Sequence, residues 1–167
     1  MAWTNGDGLR VLFGTEEALP GRAGEYNVTG PRHMVELALD LTELSDSTQT
    51  ILSDTVTIPN GAMIEQIDVM VTTATTGANA NLDLGLIDQD RTTELDYNGF
   101  LAAADAWHTS ALGTVTEYVT GTTEAGALVG TVLTNTGLIV AKADTAAFTD
   151  GTVTIRIYWS KVITDAD

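Results

Sequence analysis

Apolar residues recur at every second position through "MVELALDLT" and again through "TVTIRIYWS", and this alternation narrows the possible folds more than any other feature of the chain. In the first run Val35, Leu37, Leu39 and Leu41 share one parity, with Glu36 and Asp40 on the other. In the second, Val153, Ile155, Ile157 and Trp159 alternate with Thr154, Arg156 and Tyr158. Successive side chains of a strand point to opposite faces, so each run makes a strand with one buried face; wound as a helix, the same residues would form no stripe. Ile67, Val69 and Val71 alternate with Asp68, Met70 and Thr72, and Leu82, Leu84 and Leu86 with Asp83 and Gly85, which predicts two more strands. Weaker runs lie at Leu9 to Phe13, Thr48 to Ile58, Thr114 to Thr120, Ala127 to Leu133 and Leu138 to Ala143.

The stretches between them, "TTGANAN", "TGTTEAGA", "TNTG" and "AAFTDG", offer Gly or Asn for the positive φ that tight turns need. In "TVTIPNGAMIEQIDVMV", Pro59 cannot donate to a ladder and holds Ile58 extended, and Asn60-Gly61 can turn. One strand is therefore predicted to end near Ile58 and the next to begin near Met63. One short helix is predicted in "NGFLAAADAWH", where Phe100, Leu101, Ala104 and Trp107 fall at helical spacing and Asn98 can cap. The expected fold is all-β: an antiparallel β-sandwich of about eight strands, of jelly-roll type, with at most one short helix. Residues 1–33 hold five glycines between Gly6 and Gly24 and two of the three prolines, and read as an extended N-terminal arm or edge segment; 34–167 read as the sandwich domain.

A chain of 167 residues buries roughly 70% of its unfolded surface as one domain, so it needs neither disulfide nor metal for stability. With no cysteine, thiolate metal sites and cysteine nucleophiles are excluded. The start lacks a basic and apolar leader, and no run approaches the roughly 18 apolar residues of a membrane span, so neither secretion nor a membrane partner is expected. Acidic residues number 23 against 7 basic ones, for a net charge of −16. Such a surface repels phosphate backbones, and the cations are scattered along the chain; no nucleic-acid partner is expected.

Convergent chemistry is hard to find. "DAWHTS" places Asp105, His108 and Ser110 close in sequence, but no Gly-x-Ser-x-Gly elbow accompanies them, and an exposed or capping histidine is the plainer reading. The densest acidic stretch, "DLGLIDQDRTTELD", carries Asp83, Asp88, Asp90, Glu94 and Asp96. Asp88-x-Asp90 matches the start of a calcium loop, but the glycine at its sixth position and the glutamate at its twelfth are missing. A solvated turn is expected there, and no catalytic residue, metal or cofactor is assigned.

The order "NGDGL…FGTEEA…GEY…GPRH", then "DLTEL…ILSDTVTIPNGAMIEQIDVMV", "LDLGLIDQDRTTELDYNGF" and a final "GTVTIRIYW" resembles a group of small head-associated structural proteins of tailed bacteriophages, over nearly the whole chain. The resemblance implies a virion component without enzymatic activity: a capsid decoration or cement protein on the outside of a shell of major capsid protein. A homotrimer at a threefold position is expected, since lattice attachment gains from multivalency. The alternative is a head or tail fibre module in which Trp107, Trp159 or Tyr97 stack on host glycan, although Trp3, Trp107 and Trp159 read more simply as core or interface residues. Within residues 1–33, Trp3, Leu9, Val11 and Phe13 are the expected partner-binding anchors, as apolar residues of a Gly-rich segment that a partner groove would bury.

Overall fold

The computed structural model describes residues 32–53, 55–76, 80–109 and 111–161. These form nine strands: β1 (His33–Asp40), β2 (Thr50–Ile51), β3 (Thr57–Ile58), β4 (Ala62–Thr76), β5 (Asn81–Asp88), β6 (Glu94–Ala104), β7 (Val115–Val119), β8 (Gly137–Asp144) and β9 (Asp150–Lys161). One sheet runs β1-β9-β4-β7. The other runs β2-β8-β5-β6, with β3 also on β8, and every pairing within the two sheets is antiparallel. The pairs nest along the chain: β5 with β6 innermost, β4 with β7, β2 and β3 with β8, and β1 with β9 outermost. The path is that of a long hairpin rolled into two layers.

Alternation accounts for the layers. Val35 and Leu39 of β1, Ile155 and Ile157 of β9, and Ile67 and Val69 of β4 point inward from the first sheet. Leu82, Leu84 and Leu86 of β5 and Ile139 and Ala141 of β8 meet them from the second, in one buried cluster. Full burial of each large aliphatic side chain contributes about 2 kcal/mol, so this interior supplies most of the drive to fold.

The corner expected at Ile58 to Met63 is where the chain changes sheets. β3 ends at Ile58, Gly61 takes φ 80°, and β4 opens at Ala62. The amide of Ala62 donates to the Pro59 carbonyl at 3.1 Å and that of Gly61 to Leu133 at 2.9 Å, so the turn is tied to the facing loop.

Three expectations are corrected. "NGFLAAADAWH" is not a helix: β6 runs on to Ala104, and only a 3-10 turn, Ala106–Thr109, follows. Pairing of Ala104 with Leu82 and Leu101 with Leu84 overrides the helical propensity of the alanines. Ala127 to Leu133 is a series of turns in which Val129 and Val132 make single bridges to Ile64 and Met63. Thr48 to Ile58 holds two short strands in place of one. The run Leu9 to Phe13 lies outside the described residues.

Candidate interaction surface

The acidic stretch is built as a hairpin turn. Asp90, between β5 and β6, accepts from the amides of Thr92 at 2.7 Å and Thr93 at 2.8 Å and from the Thr93 hydroxyl at 2.6 Å, and these bonds hold its carboxyl down to about 2. Asp88 accepts from the Asp90 amide, and Glu94 accepts from the Gln49 side chain. Asp83 stands at the other end of β5, across from Lys142. The five carboxylates are thus spread along a strand and its turn, and no group of three metal-ligating side chains converges among the described residues. Chelator is expected to leave the melting temperature unchanged; a fall reversed by calcium would contradict this.

Asp83 is nonetheless unusual. Alternation put it on a solvated face, yet it is 2% exposed and accepts the Ala103 amide at 2.8 Å, where Ala103 sits at φ 51°. Burial raises its carboxyl above the ordinary range, as does nearby Asp144, against the lowering effect of the amide and Lys142. A carboxyl raised in the fold favours the protonated native state, so its contribution to stability is full below the ordinary carboxylate value near 4 and is lost as pH rises through the raised one. D83N keeps an acceptor for Ala103 without the charge. Its melting temperature should therefore exceed that of the wild type at pH 7, by a margin that narrows at pH 4; an equal or lower value at pH 7 would contradict the assignment.

His108 is taken up in packing. Its ring packs on Trp107 and Phe148, its Nε2 is buried without a partner, and burial lowers its pKa despite Asp105 and Glu124 nearby. The amide of His108 donates to the Asp105 carbonyl, which is turn formation, while Ser110 lies outside the described residues. The aromatics take separate places. Trp107 is wholly buried and donates to the Ala104 carbonyl at 3.1 Å. Trp159 stacks on His33 at 5.3 Å in the first sheet, and Tyr97 lies beneath Lys142 on the second, 4.9 Å from ring centroid to ammonium. An apolar cleft of about 190 Å³ lined by Leu86, Leu95, Leu128, Val132 and Leu133 has only Thr131, Thr134 and Asn135 as polar lining, and so no acid, base or charged nucleophile.

The outer faces of the two sheets differ in a way that alternation alone did not reveal. On the second sheet, Ile87, Leu138 and Val140 point away from the main interior but are 7%, 3% and 0% exposed, in a small cluster of their own with Ile51 and Tyr97. On the first, the outward residues stand in rows that are exposed at the outer strands and half-buried to buried at the middle ones. Register aligns Met34, Tyr158, Gln66 and Val119 in one row; Glu36, Arg156, Asp68 and Glu117 in the next; and Ala38, Thr154, Met70 and Val115 in the third. Val132, bridged to Met63, extends the face at one end. Met34, Val119, Val132 and Val115 are 50%, 42%, 38% and 37% exposed, which places on this face four of the five large exposed hydrophobic residues among those described. In the charged row Arg156 Nε donates to Glu36 at 2.7 Å, and Asp68, 7% exposed, accepts from the Gln66 amide group. The expected anchors Trp3, Leu9, Val11 and Phe13 lie outside the described residues.

Neither a family model nor a curated protein matches the sequence. Solved structures do match the fold. A chain of the cyanophage Pam1 capsid asymmetric unit aligns with a TM-score of 0.53 and 14% identity, over 95% of this chain and 98% of that one, so the two are nearly equal in length. A chain of the capsid of Ralstonia phage GP4 aligns with a TM-score of 0.51 and 14% identity, over 80% and 86%. At such identities the likeness is one of fold, an antiparallel β-sandwich. No helix among the described residues is long and apolar enough to cross a membrane.

Proposed function

We propose that this chain is a capsid decoration protein of a tailed bacteriophage, a jelly-roll domain bound to the outside of a shell of major capsid protein and stabilising it without catalysing a reaction. The observation that carries the proposal is the match, over 95% of this chain, to a chain of nearly equal length within the Pam1 capsid asymmetric unit. Because folds of this kind host unrelated functions, the site must agree as well. Asp90 is taken up in a turn and Trp107 in the core with His108 packed against it, while the outward face of β1-β9-β4-β7 carries exposed apolar residues suited to protein contact.

The chain is expected to act as a homotrimer, with residues 1–33 reaching a neighbouring subunit or the shell through Trp3, Leu9, Val11 and Phe13. Light scattering should give a mass near three chains of 17.6 kDa; a monomer at tens of micromolar would contradict a trimer in solution. The function is tested by adding purified protein to undecorated shells of the phage that encodes it. Saturable co-sedimentation and a higher rupture temperature are expected. No binding to shells, with binding to host-surface glycan in its place, would favour a fibre module.

A further inference from the structure

We propose that the outer face of β1-β9-β4-β7 is the docking face, and that its partner is a protein surface presenting apolar side chains around one or more lysines or arginines. The inference rests on the capsid reading, which supplies the shell as that partner, and goes further by assigning the face and the chemistry it meets.

Two features carry it. The first is the contrast between the sheets: Ile87, Leu138 and Val140 on the outward face of the second sheet are buried at 7% exposure or less, whereas Met34, Val119 and Val115 of the first stand 37% to 50% exposed. Apolar side chains gathered on one sheet face mark a surface that is covered in the assembled state. The second is charge. Between the two apolar rows runs a line of Glu36, Arg156, Asp68 and Glu117, three carboxylates to one guanidinium, and Arg156 is already bonded to Glu36.

That line decides between a second copy and a different partner. Two copies pairing face to face would set carboxylate rows together on chains that each carry a net charge of −16, and like charges brought together in this way cost several kcal/mol. A partner cation set against exposed Glu117, at the end of the row, would instead complete the alternation of charge that Arg156 begins. Apolar rows on either side would shield that contact from solvent, as a ring of neighbours does around the strong contacts of an interface.

The test is co-sedimentation with undecorated shells of the encoding phage, for full-length wild type, M34E/V119E, E117K and the charge control D46K, whose site is exposed in the loop before β2. All four substituted side chains are exposed, so thermal melts should match the wild type. M34E/V119E should bind at least about tenfold more weakly and E117K several-fold more weakly, with D46K within about twofold of wild type. Wild-type binding should also weaken as salt rises from 50 to 500 mM. If wild type binds and both face variants bind equally well, the face is wrong and the shell reading survives. If wild type does not bind, both fall. If the substitutions instead break up a dimer seen by light scattering, the occupant is a second copy and the proposed partner is overturned.

Discussion

Replacing Gly85 with alanine is expected to cost about 3 kcal/mol or more and to lower the melting temperature by roughly 6–12 °C. Gly85 lies in the middle of β5, opposite Val140 of β8. On its other side β6 is bulged: between its pairings to Leu84 and Leu86 it steps from Leu101 to Asp96, and the extra residues arch over the glycine. A Cβ there would stand 2.0 Å from the Asp96 carbonyl oxygen and 2.4 Å from the Tyr97 carbonyl carbon. Both are backbone atoms held by the ladder, so no rotamer change relieves the clash. Gly113 is the natural comparison, with open space around it but φ 79°. G113A should cost only about 1 kcal/mol, from backbone conformation alone. Equal melting temperatures for G85A and G113A would mean that β6 does not cross Gly85 as described.

Deleting Met1–Arg32 is expected to leave the sandwich folded while weakening shell attachment by at least about tenfold, because a second tethered contact multiplies affinity without being needed for the fold. All nine strands and both apolar clusters among the described residues lie from His33 onward. Trp3, Leu9, Val11 and Phe13 are the residues whose loss should account for the effect. Thermal melts and co-sedimentation of the truncated and full chains separate the outcomes. Truncation that unfolds the domain would make the segment an integral strand, and truncation that leaves binding intact would place attachment wholly on the sandwich.

Much of the fold was legible because inward-facing apolar residues recur at every second position of its strands. Val35 to Leu39, Val153 to Ile157, Ile67 to Val71 and Leu82 to Leu86 announce their inward sides locally, and Pro59-Asn60-Gly61 announces the corner. Where the sequence misled, burial did not follow a single face. Gly99, Phe100 and Leu101 are buried in succession, and a bulged strand with cover on both sides has no period to distinguish it from a helix. Asp83 looked solvated because alternation reports which face a residue takes and says nothing of what lies over that face.

The docking face was illegible for a related reason. Met34, Tyr158 and Val119 fall in one row only through the pairing of β1, β9, β4 and β7, and a shift of one residue in any register would scatter them. Each alone is an unremarkable exposed apolar residue. The line from Glu36 to Glu117 spans strands from both ends of the chain, so no window of sequence contains it.

The central claim, that this chain is a structural component on the outside of a phage capsid, is tested most directly by a cryo-EM reconstruction of purified particles of the encoding phage. The account predicts a nine-stranded sandwich at regular lattice positions on the outer surface, its β1-β9-β4-β7 face toward the shell. Particles that lack the chain, or that carry it only at the tail or inside the head, would contradict it.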